Sequence, residues 1–176
     1  MTGRTAGKRS AGLLLYRRGA DGGVEVLLAH MGGPLWARRG AGAWTVPKGE
    51  YLPPEEPMAA ARREFAEELG TAPPDGRYLP LGEVRQSGGK VVTVWAVAGC
   101  LDPDRIVPGT FEMEWPRGSG VVRSFPEIDR VAWCGPEEAR WRLVTAQRAF
   151  VDRLLAILGD EPDEPDEPDE PGGPGG

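Results

Sequence analysis

GEYLPPEEPMAAARREFAEELGT, residues 49–71, carries the clearest structural signal in the chain. It predicts a helix over residues 57–69. Pro57 suits the first helical position, and Gly70 suits the position just past the last turn. Both ends of this helix are therefore marked by local sequence signals.

The predicted helix has two faces of different character. Because an α-helix turns by 100° per residue, four apolar side chains form a stripe along one side: Met58, Ala61, Phe65 and Leu69. This stripe is expected to pack against the rest of the protein. Glu64, Glu67 and Glu68 fall on a separate arc, where like charges cost roughly 0.2–0.5 kcal/mol per pair. Glu67 and Glu68 also meet the negative end of the helix dipole. A solvated face gains nothing from this arrangement, whereas Mg²⁺ or Mn²⁺ needs oxygen ligands. The spacing alone leaves both interpretations open.

The wider pattern around the helix resembles the Nudix box of the Nudix hydrolases. Gly49 is followed after five residues by Glu55 and, after seven more, by REFAEELG at residues 63–70. Thr71 departs from the aliphatic residue that the family prefers. The resemblance implies an α+β fold, the Nudix αβα sandwich with a mixed β-sheet flanked by helices. It also implies that Arg63 pairs with Glu55 and holds the preceding loop against the helix.

The resemblance further implies a metal site and a reaction. Glu64, Glu67 and Glu68 would hold Mg²⁺ (or Mn²⁺) together with the carbonyl of Gly49. The reaction would be hydrolysis of a nucleoside diphosphate linked to another group, by attack of water at phosphorus. The number of metal ions stays open.

The general base of that reaction has several candidates. It is one of the box glutamates or a carboxylate from a distant loop. FEMEWP, residues 111–116, supplies Glu112 and Glu114, which share a side if the segment is extended. Two exposed loop acids without a catalytic role fit the sequence equally well.

Basic and aromatic residues are candidates for substrate contacts. Arg38, Arg39, Lys48 and Lys90 could each bind a phosphate oxygen, although each alone also reads as an ordinary surface charge. Trp residues in early strands or loops could stack a base, but they more often belong to the core (Trp36, Trp44, Trp95). The single histidine, His30, is interpreted as structural.

The substrate is predicted from two short segments. WTVPKGE (44–50) and GGKVVTVWAV (88–97) are similar to the MutT-like branch that includes diadenosine tetraphosphate (Ap4A) hydrolases. A dinucleoside polyphosphate such as Ap4A is therefore the expected substrate. Nucleoside triphosphate pyrophosphohydrolase and ADP-ribose pyrophosphatase activities are the alternatives. A non-catalytic, nucleotide-binding regulatory module is the alternative of another class, although such modules commonly lose box carboxylates that are all intact here.

The remaining segments predict strands around one helix, followed by helices at the end. Short Val- and Leu-rich runs and turns predict strands before and after the box. FEMEWP is expected in a polar loop, and the last helix is expected over residues 146–158. Residues 1–159 are predicted to form one Nudix domain and residues 160–176 a disordered acidic Asp-Glu-Pro tail.

Charge and composition limit the partners. The formal net charge is −6, and removing the eight acids of the tail changes it to +2. This mildly basic domain suits a nucleotide but not a stable nucleic-acid partner. The longest apolar stretch is about half of what a membrane span needs. Cys100 and Cys134 form no CxxC pair and predict two buried free thiols, so we expect a cytoplasmic protein that does not bind membranes. The oligomeric state is not predicted.

Overall fold

The computed structural model describes residues 7–160. It contains nine strands and three α-helices within those residues, joined by two turns of 3₁₀ helix. The elements are β1 (Arg9–Arg18), β2 (Val24–Met31), β3 (Trp44–Thr45), β4 (Lys48–Glu50), α1 (Pro57–Leu69), β5 (Leu79–Arg85), β6 (Val91–Ala98), β7 (Thr110–Glu114), β8 (Val122–Pro126), β9 (Ile128–Cys134), α2 (Pro136–Arg142) and α3 (Arg148–Asp160).

Seven of the strands form one mixed sheet. Its order is β3-β2-β1-β6-β5, with β4 also paired to β1 and β9 also paired to β2. The long central strands β1 and β6 run parallel, whereas the other pairs in the sheet are antiparallel. The sheet therefore combines hairpin connections with a crossover that contains α1.

Helices cover both faces of this sheet. On one face, the fully buried Phe65 and Leu69 of α1 pack with residues of β1 such as Leu13. On the other face, α3 contributes Phe150 and Leu154 to a second buried cluster. The predicted αβα sandwich of the α+β class is confirmed.

Helix α1 has the predicted bounds. Pro57 occupies its first turn, and Gly70 follows it with φ = 68°, a left-handed conformation that glycine adopts at little cost. The N–H group of Gly70 donates to the carbonyl of Ala66, which closes the last turn. The helix that displays the glutamates is thus fixed at both ends by residues of the box region.

The last helix begins later than predicted. Thr145–Gln147 form a turn of 3₁₀ helix, and α3 starts only at Arg148. Gln147 is fully buried, and its side chain accepts a hydrogen bond from the N–H group of Val46 at 2.9 Å. This link to the sheet holds the turn apart from the regular helix.

The segment expected to be a polar loop is a β-hairpin. β7 and β8 pair only with each other and form a separate two-stranded sheet. The expectation was wrong because Phe111 and Met113 alternate with exposed acids, which is the period of a strand. The flanking residues Gly109 and Glu127 meet where the N–H group of Glu127 donates to the Gly109 carbonyl at 2.9 Å.

The two cysteines differ in their exposure to solvent. Both cysteines are free, but only Cys134 is buried. Cys100 is exposed because it lies beyond the end of β6, where the chain leaves the sheet. Within residues 7–160, none of the helices has the length and apolar character needed to cross a bilayer.

The predicted acidic tail lies outside the described residues except for Asp160, the last residue of α3. The tail sequence offers no apolar side chain to a core, so we expect its removal to leave stability and turnover unchanged. The measurement is the melting temperature and the turnover number of a chain ending at residue 159, next to the full chain. A large loss of either would show that the tail docks on the domain.

Candidate active site

The glutamates of α1 face strand β4 because the apolar stripe of the helix packs on β1. The carboxylate of Glu64 lies directly against the backbone of Gly49, where an added Cβ atom would be 1.9 Å from it. Glu68 accepts a hydrogen bond from the N–H group of Lys48 through Oε2, at 3.1 Å. Residues 48 and 49 of β4 therefore form one wall of the carboxylate cluster.

Arg63 connects the box loop to two of these glutamates. Its Nε and Nη2 atoms each bind one carboxylate oxygen of Glu55 at 2.8 Å, so the predicted pair is present as a bidentate contact. Its Nη1 atom lies 2.7 Å from Oε1 of Glu64 and 3.1 Å from Oε2 of Glu67. The hydrogen bonds from Arg63 lower the pKa of Glu55. Arg63 thus holds the loop and orients two box carboxylates.

Burial is the main cause of the pKa shifts of Glu64 and Glu68. It raises the pKa of Glu68 to about 8, against the opposing influence of Lys48. Burial also raises the pKa of Glu64, although Arg63 acts in the opposite direction. A third carboxylate, that of Glu127, raises both pKa values further through its negative charge. Burial and the neighbouring carboxylates therefore disfavour the charged forms of Glu64 and Glu68 when no cation is bound.

Glu127 is the residue that sequence reasoning missed. It lies between β8 and β9, and the pairing of β9 with β2 brings it towards α1. A Cβ atom added to Gly109 would lie 3.4 Å from the carboxylate of Glu127 and 3.5 Å from the carbonyl oxygen of Glu67. No local motif marks this position, because only the long-range strand pairing places it beside the box.

Two of the predicted phosphate-binding residues lie beside the carboxylates. Lys48 is half-buried, and burial lowers its pKa, with a further decrease from the charge of Lys90. Glu68, Glu50 and Glu64 oppose this decrease. Lys90 is half-buried, and its Nζ atom lies 2.9 Å from Oε1 of Glu50. The two lysines therefore supply positive charge next to the glutamate cluster.

The two predicted arginines lie elsewhere, in the loop between β2 and β3. Arg38 and Arg39 are both exposed. The Arg39 guanidinium lies 5.4 Å from the ring centre of Trp36, and the Arg39 carbonyl accepts a hydrogen bond from Nε2 of His30 at 2.7 Å. His30 is fully buried, and its Nδ1 atom lies 2.9 Å from both carboxylate oxygens of Asp129. The histidine ties this loop to β9, in keeping with a structural role.

The two candidate bases of the FEMEWP segment lie on the hairpin. Glu112 and Glu114 both occupy the exposed face of β7, on the same side of the strand. Oε1 of Glu114 accepts a hydrogen bond from the N–H group of Gly120 at 2.8 Å. Their catalytic role stays a prediction.

Comparison with known proteins identifies the family. The family model of the NUDIX domain matches residues 7–154, so the chain belongs to the Nudix family. An RNA pyrophosphohydrolase from Halorhodospira halophila is 32% identical over 126 residues, which cover 62% of this chain and 64% of that protein. The chain therefore spans just under two thirds of the length of this curated relative.

Solved structures share the fold at low identity. The binary complex of a C. elegans Ap4A hydrolase has a TM-score of 0.60 and 24% identity, covering 86% of this chain and 98% of the other. The NUDIX domain of Shewanella oneidensis NrtR, in complex with ADP ribose, has a TM-score of 0.57 and 14% identity, covering 88% and 90%. At these identities, 24% and 14%, the similarity shows a shared fold only.

Nudix hydrolases generally use divalent metal ions, and the donor set of this site fits one. Within residues 7–160, no three carboxylate, thiol or imidazole side chains are already arranged as a metal-binding group. Instead, Arg63 and the Lys48 N–H group donate hydrogen bonds to carboxylate oxygens of the box glutamates. The partly buried carboxylates nevertheless repel one another, and a hard cation with a preference for oxygen ligands relieves that repulsion.

Proposed function

We propose that this chain hydrolyses the phosphoric anhydride of a nucleoside diphosphate linked to another group. Its preferred substrates in this proposal are dinucleoside polyphosphates such as Ap4A, and its cofactor is Mg²⁺ or Mn²⁺. The supporting observation is the carboxylate cluster of Glu64, Glu68 and Glu127, which lies beside the half-buried Lys48 of β4. Such a cluster suits a bound metal and a polyanion together.

Each part of the site has a role in this proposal. Glu64, Glu67, Glu68 and the carbonyl of Gly49 hold the metal. When bound, a divalent cation neutralises phosphate charge and lowers the pKa of a coordinated water. Arg63 keeps the carboxylates in place through its contacts of 2.7 and 3.1 Å. A proton from the attacking water passes to a carboxylate, for which Glu112, Glu114 and the box glutamates are the candidates.

Lysine side chains provide the remaining charge that a long polyphosphate needs. The four bridging phosphates of Ap4A carry more negative charge than the bound metal ions balance alone. Lys48 lies beside the glutamates, Lys90 pairs with Glu50 and lowers the pKa of Lys48, and Arg38 and Arg39 lie on the loop after β2. Each would act as a charge-assisted partner of a phosphate oxygen.

A second candidate is removal of pyrophosphate from a 5′-triphosphorylated RNA end. The 32% identity to an RNA pyrophosphohydrolase favours it. Both candidate reactions cleave a phosphoric anhydride and use the same carboxylates. The two candidate substrates differ in the groups attached to the polyphosphate.

The decisive experiment is a substrate panel with identification of the products. The panel contains Ap4A, a nucleoside triphosphate, ADP-ribose and a short 5′-triphosphate RNA, each with Mg²⁺, with Mn²⁺ and with EDTA. We expect metal-dependent cleavage, fastest with Ap4A, into two nucleotides. Fastest release of pyrophosphate from RNA would favour the second candidate. Tight nucleotide binding without cleavage of any compound would make the chain a regulatory module.

Replacement of Lys90 by alanine tests the contact with the polyphosphate. We expect a larger loss of kcat/KM with Ap4A than with a nucleoside triphosphate or ADP-ribose, by about 1–3 kcal/mol in transition-state terms. The reason is that the longer phosphate chain carries more negative charge, which the ammonium group of Lys90 helps to balance. The assays must share one metal and one ionic strength, because salt screens exposed charges.

Lys8→Ala is the matched control for this experiment. Lys8 also approaches Glu50, at 3.7 Å, but its side chain is 74% exposed, against 27% for Lys90. We expect its loss to leave the substrate ranking unchanged. An equal loss on every substrate in Lys90→Ala would make Lys90 a general phosphate or structural residue, and no loss would make it an ordinary surface lysine.

A further inference from the structure

His30 is a fully buried histidine whose two ring nitrogens both face hydrogen-bond acceptors. Its Nδ1 atom lies 2.9 Å from each carboxylate oxygen of Asp129, and its Nε2 atom lies 2.7 Å from the carbonyl oxygen of Arg39. A carbonyl oxygen and an ionised carboxylate can only accept, whereas a neutral imidazole has one donor and one acceptor. A ring with a proton on each nitrogen is therefore the form that satisfies both contacts together.

A β-bulge brings the carboxylate of Asp129 to this ring. In the ladder between β2 and β9, His30 pairs with Arg130 and Met31 pairs with Ile128, so Asp129 is an extra residue on β9. A bulge of this kind re-aims a side chain. The Asp129 carboxylate also accepts a hydrogen bond from Nη1 of Arg130 at 3.2 Å. An ionised carboxylate in this place supplies the counter-charge that a buried imidazolium needs.

The other charged groups around the ring are contributed by β9 and α2. Trp44 of β3 packs edge-on against His30, with ring centres 5.1 Å apart. The guanidinium groups of Arg130 and Arg142 lie 5.2 and 4.4 Å from the centre of that indole ring. Because both of these groups are cations, the positive charge of the His30 ring depends on the direct contact with Asp129.

The second acceptor belongs to the loop between β2 and β3. The N–H group of Arg39 donates to the Trp36 carbonyl at 2.9 Å, and its guanidinium lies 5.4 Å from the ring centre of Trp36. The contact with His30 joins the middle of this loop to the main sheet. The start of the loop is linked to the carboxylate site, because the N–H group of Gly32 donates to the carbonyl of Glu127 at 2.9 Å.

Loss of one ring proton breaks the contact with the loop and keeps the contact with β9. The remaining proton stays on Nδ1, because its hydrogen bond to the carboxylate of Asp129 is charge-assisted and stronger than a bond to a carbonyl. The lone pair of Nε2 then faces the carbonyl oxygen of Arg39 at 2.7 Å, acceptor to acceptor. A neutral His30 therefore cannot hold the loop in this position.

We propose that His30 is a positioning residue that acts as a proton-dependent tie. As an imidazolium it holds the loop between β2 and β3 against β9, and as a neutral ring it releases the loop. The tie itself does not depend on the proposed function. Its effect on turnover rests on that proposal, which assigns Arg38 and Arg39 of this loop to phosphate oxygens of the substrate.

NMR spectroscopy of the isotope-labelled full chain tests the tie directly, because His30 is the only histidine in the sequence. The ring resonances show which nitrogens carry a proton, and the backbone amide of Gly40 belongs to the same peptide group as the Arg39 carbonyl. The titration runs from about pH 5 to about pH 9, which includes the range in which histidines ordinarily change charge. We expect the Nε2 proton to be lost as the pH rises and the Gly40 amide resonance to change with the same midpoint.

Asp129→Asn distinguishes this tie from a merely structural contact. The new amide can donate to Nδ1 of a neutral ring, which then keeps its one proton on Nε2 and holds the loop at every pH. We therefore expect the response of Gly40 to disappear. Asp152→Asn is the matched control, because the carboxylate of Asp152 also pairs with an arginine, Arg140, at 2.7 Å but lies on α3. The control should keep the response.

Steady-state kinetics connects the tie to the proposed function. The KM for Ap4A of the parent chain, divided by that of Asp129→Asn at the same pH, should rise about 5-fold as the ring loses its proton, the lower end of the usual coupling between two sites. The comparison at equal pH cancels the titration of the box glutamates, which both chains share. The KM for ADP-ribose, with its shorter phosphate chain, should change less.

Each outcome supports or overturns the inference. A ring with a single proton over the whole range, a ring that titrates without a change at Gly40, or a ring and amide that both stay constant would overturn it, as would a response that persists in Asp129→Asn. If that variant does not fold, as judged by circular dichroism, His30→Gln serves instead and should abolish the response. A coupled response in a chain that hydrolyses no nucleotide would remove the proposed function alone. Hydrolysis with a KM ratio that is constant with pH would remove only the effect on turnover.

Discussion

Glu68→Gln is expected to reduce hydrolysis of every nucleotide substrate by about 10²–10³-fold, the usual effect of removing one charge-stabilising group from an active site. Glu68 is half-buried, and its carboxylate accepts a hydrogen bond from the Lys48 N–H group at 3.1 Å. The amide keeps the shape of the side chain but removes the charge that a cation requires. The measurement is kcat/KM with saturating Mg²⁺.

The same substitution should stabilise the metal-free protein at alkaline pH. The pKa of Glu68 is raised from 4.5 to about 8, so the folded state retains a proton that the unfolded chain releases. Stability is therefore lost as the pH rises from about 4.5 to about 8. Glu68→Gln removes this loss, so we expect it to raise the free energy of unfolding clearly at pH 8 and to change it little at pH 4.5. Chemical denaturation in EDTA at both pH values measures it.

Glu67→Gln is the matched control for the stability part of this prediction. The Glu67 side chain is 58% exposed, so it has little burial cost to relieve. It should lose activity as Glu68→Gln does, yet gain no comparable stability. Full turnover in both variants with metal present would remove the proposed site.

Gly49→Ala is the second substitution with a large expected effect. The new Cβ atom would lie 1.9 Å from the carboxyl carbon and one oxygen of Glu64, so the carboxylate must move. The flexible end of a glutamate can do so without disturbing the fold. We expect kcat to fall by about 10²-fold, because a displacement of about 1 Å in an active site has that effect. The melting temperature should stay close to that of the parent protein.

Gly135→Ala provides the comparison for this substitution. Gly135 precedes α2 with φ = −66°, and nothing lies within 4 Å of an added Cβ atom there. Its kcat should not change. Normal activity in Gly49→Ala would mean that the position of the Glu64 carboxylate is unimportant for catalysis.

The parts of the fold predicted from sequence are those with local signals. Helix α1 has the expected bounds because Pro57 and Gly70 act on their own backbone conformation. The alternation in FEMEWP also signalled a strand, but its acidic residues and neighbouring turns favoured a loop. The period of Phe111 and Met113 was the better guide.

The parts of the site that could not be predicted depend on long-range pairing. Glu127 joins Glu64 and Glu68 only because β9 lies beside β2, and nothing in the sequence around residue 127 indicates that register. Similarly, the partner of His30 is Asp129, which is 99 residues away. Such contacts follow from the packing of the whole sheet.

The hairpin of β7 and β8 leaves and re-enters the domain at one point, where Glu127 and Gly109 are joined by a backbone hydrogen bond. The entropy of closing such an excursion grows only slowly with its length, by about 0.6 kcal/mol for each doubling. Related chains can therefore lengthen or shorten residues 110–126 without changing the register of the main sheet. Because the excursion begins and ends beside Glu127, such changes would alter the surroundings of the box glutamates while leaving the main sheet intact.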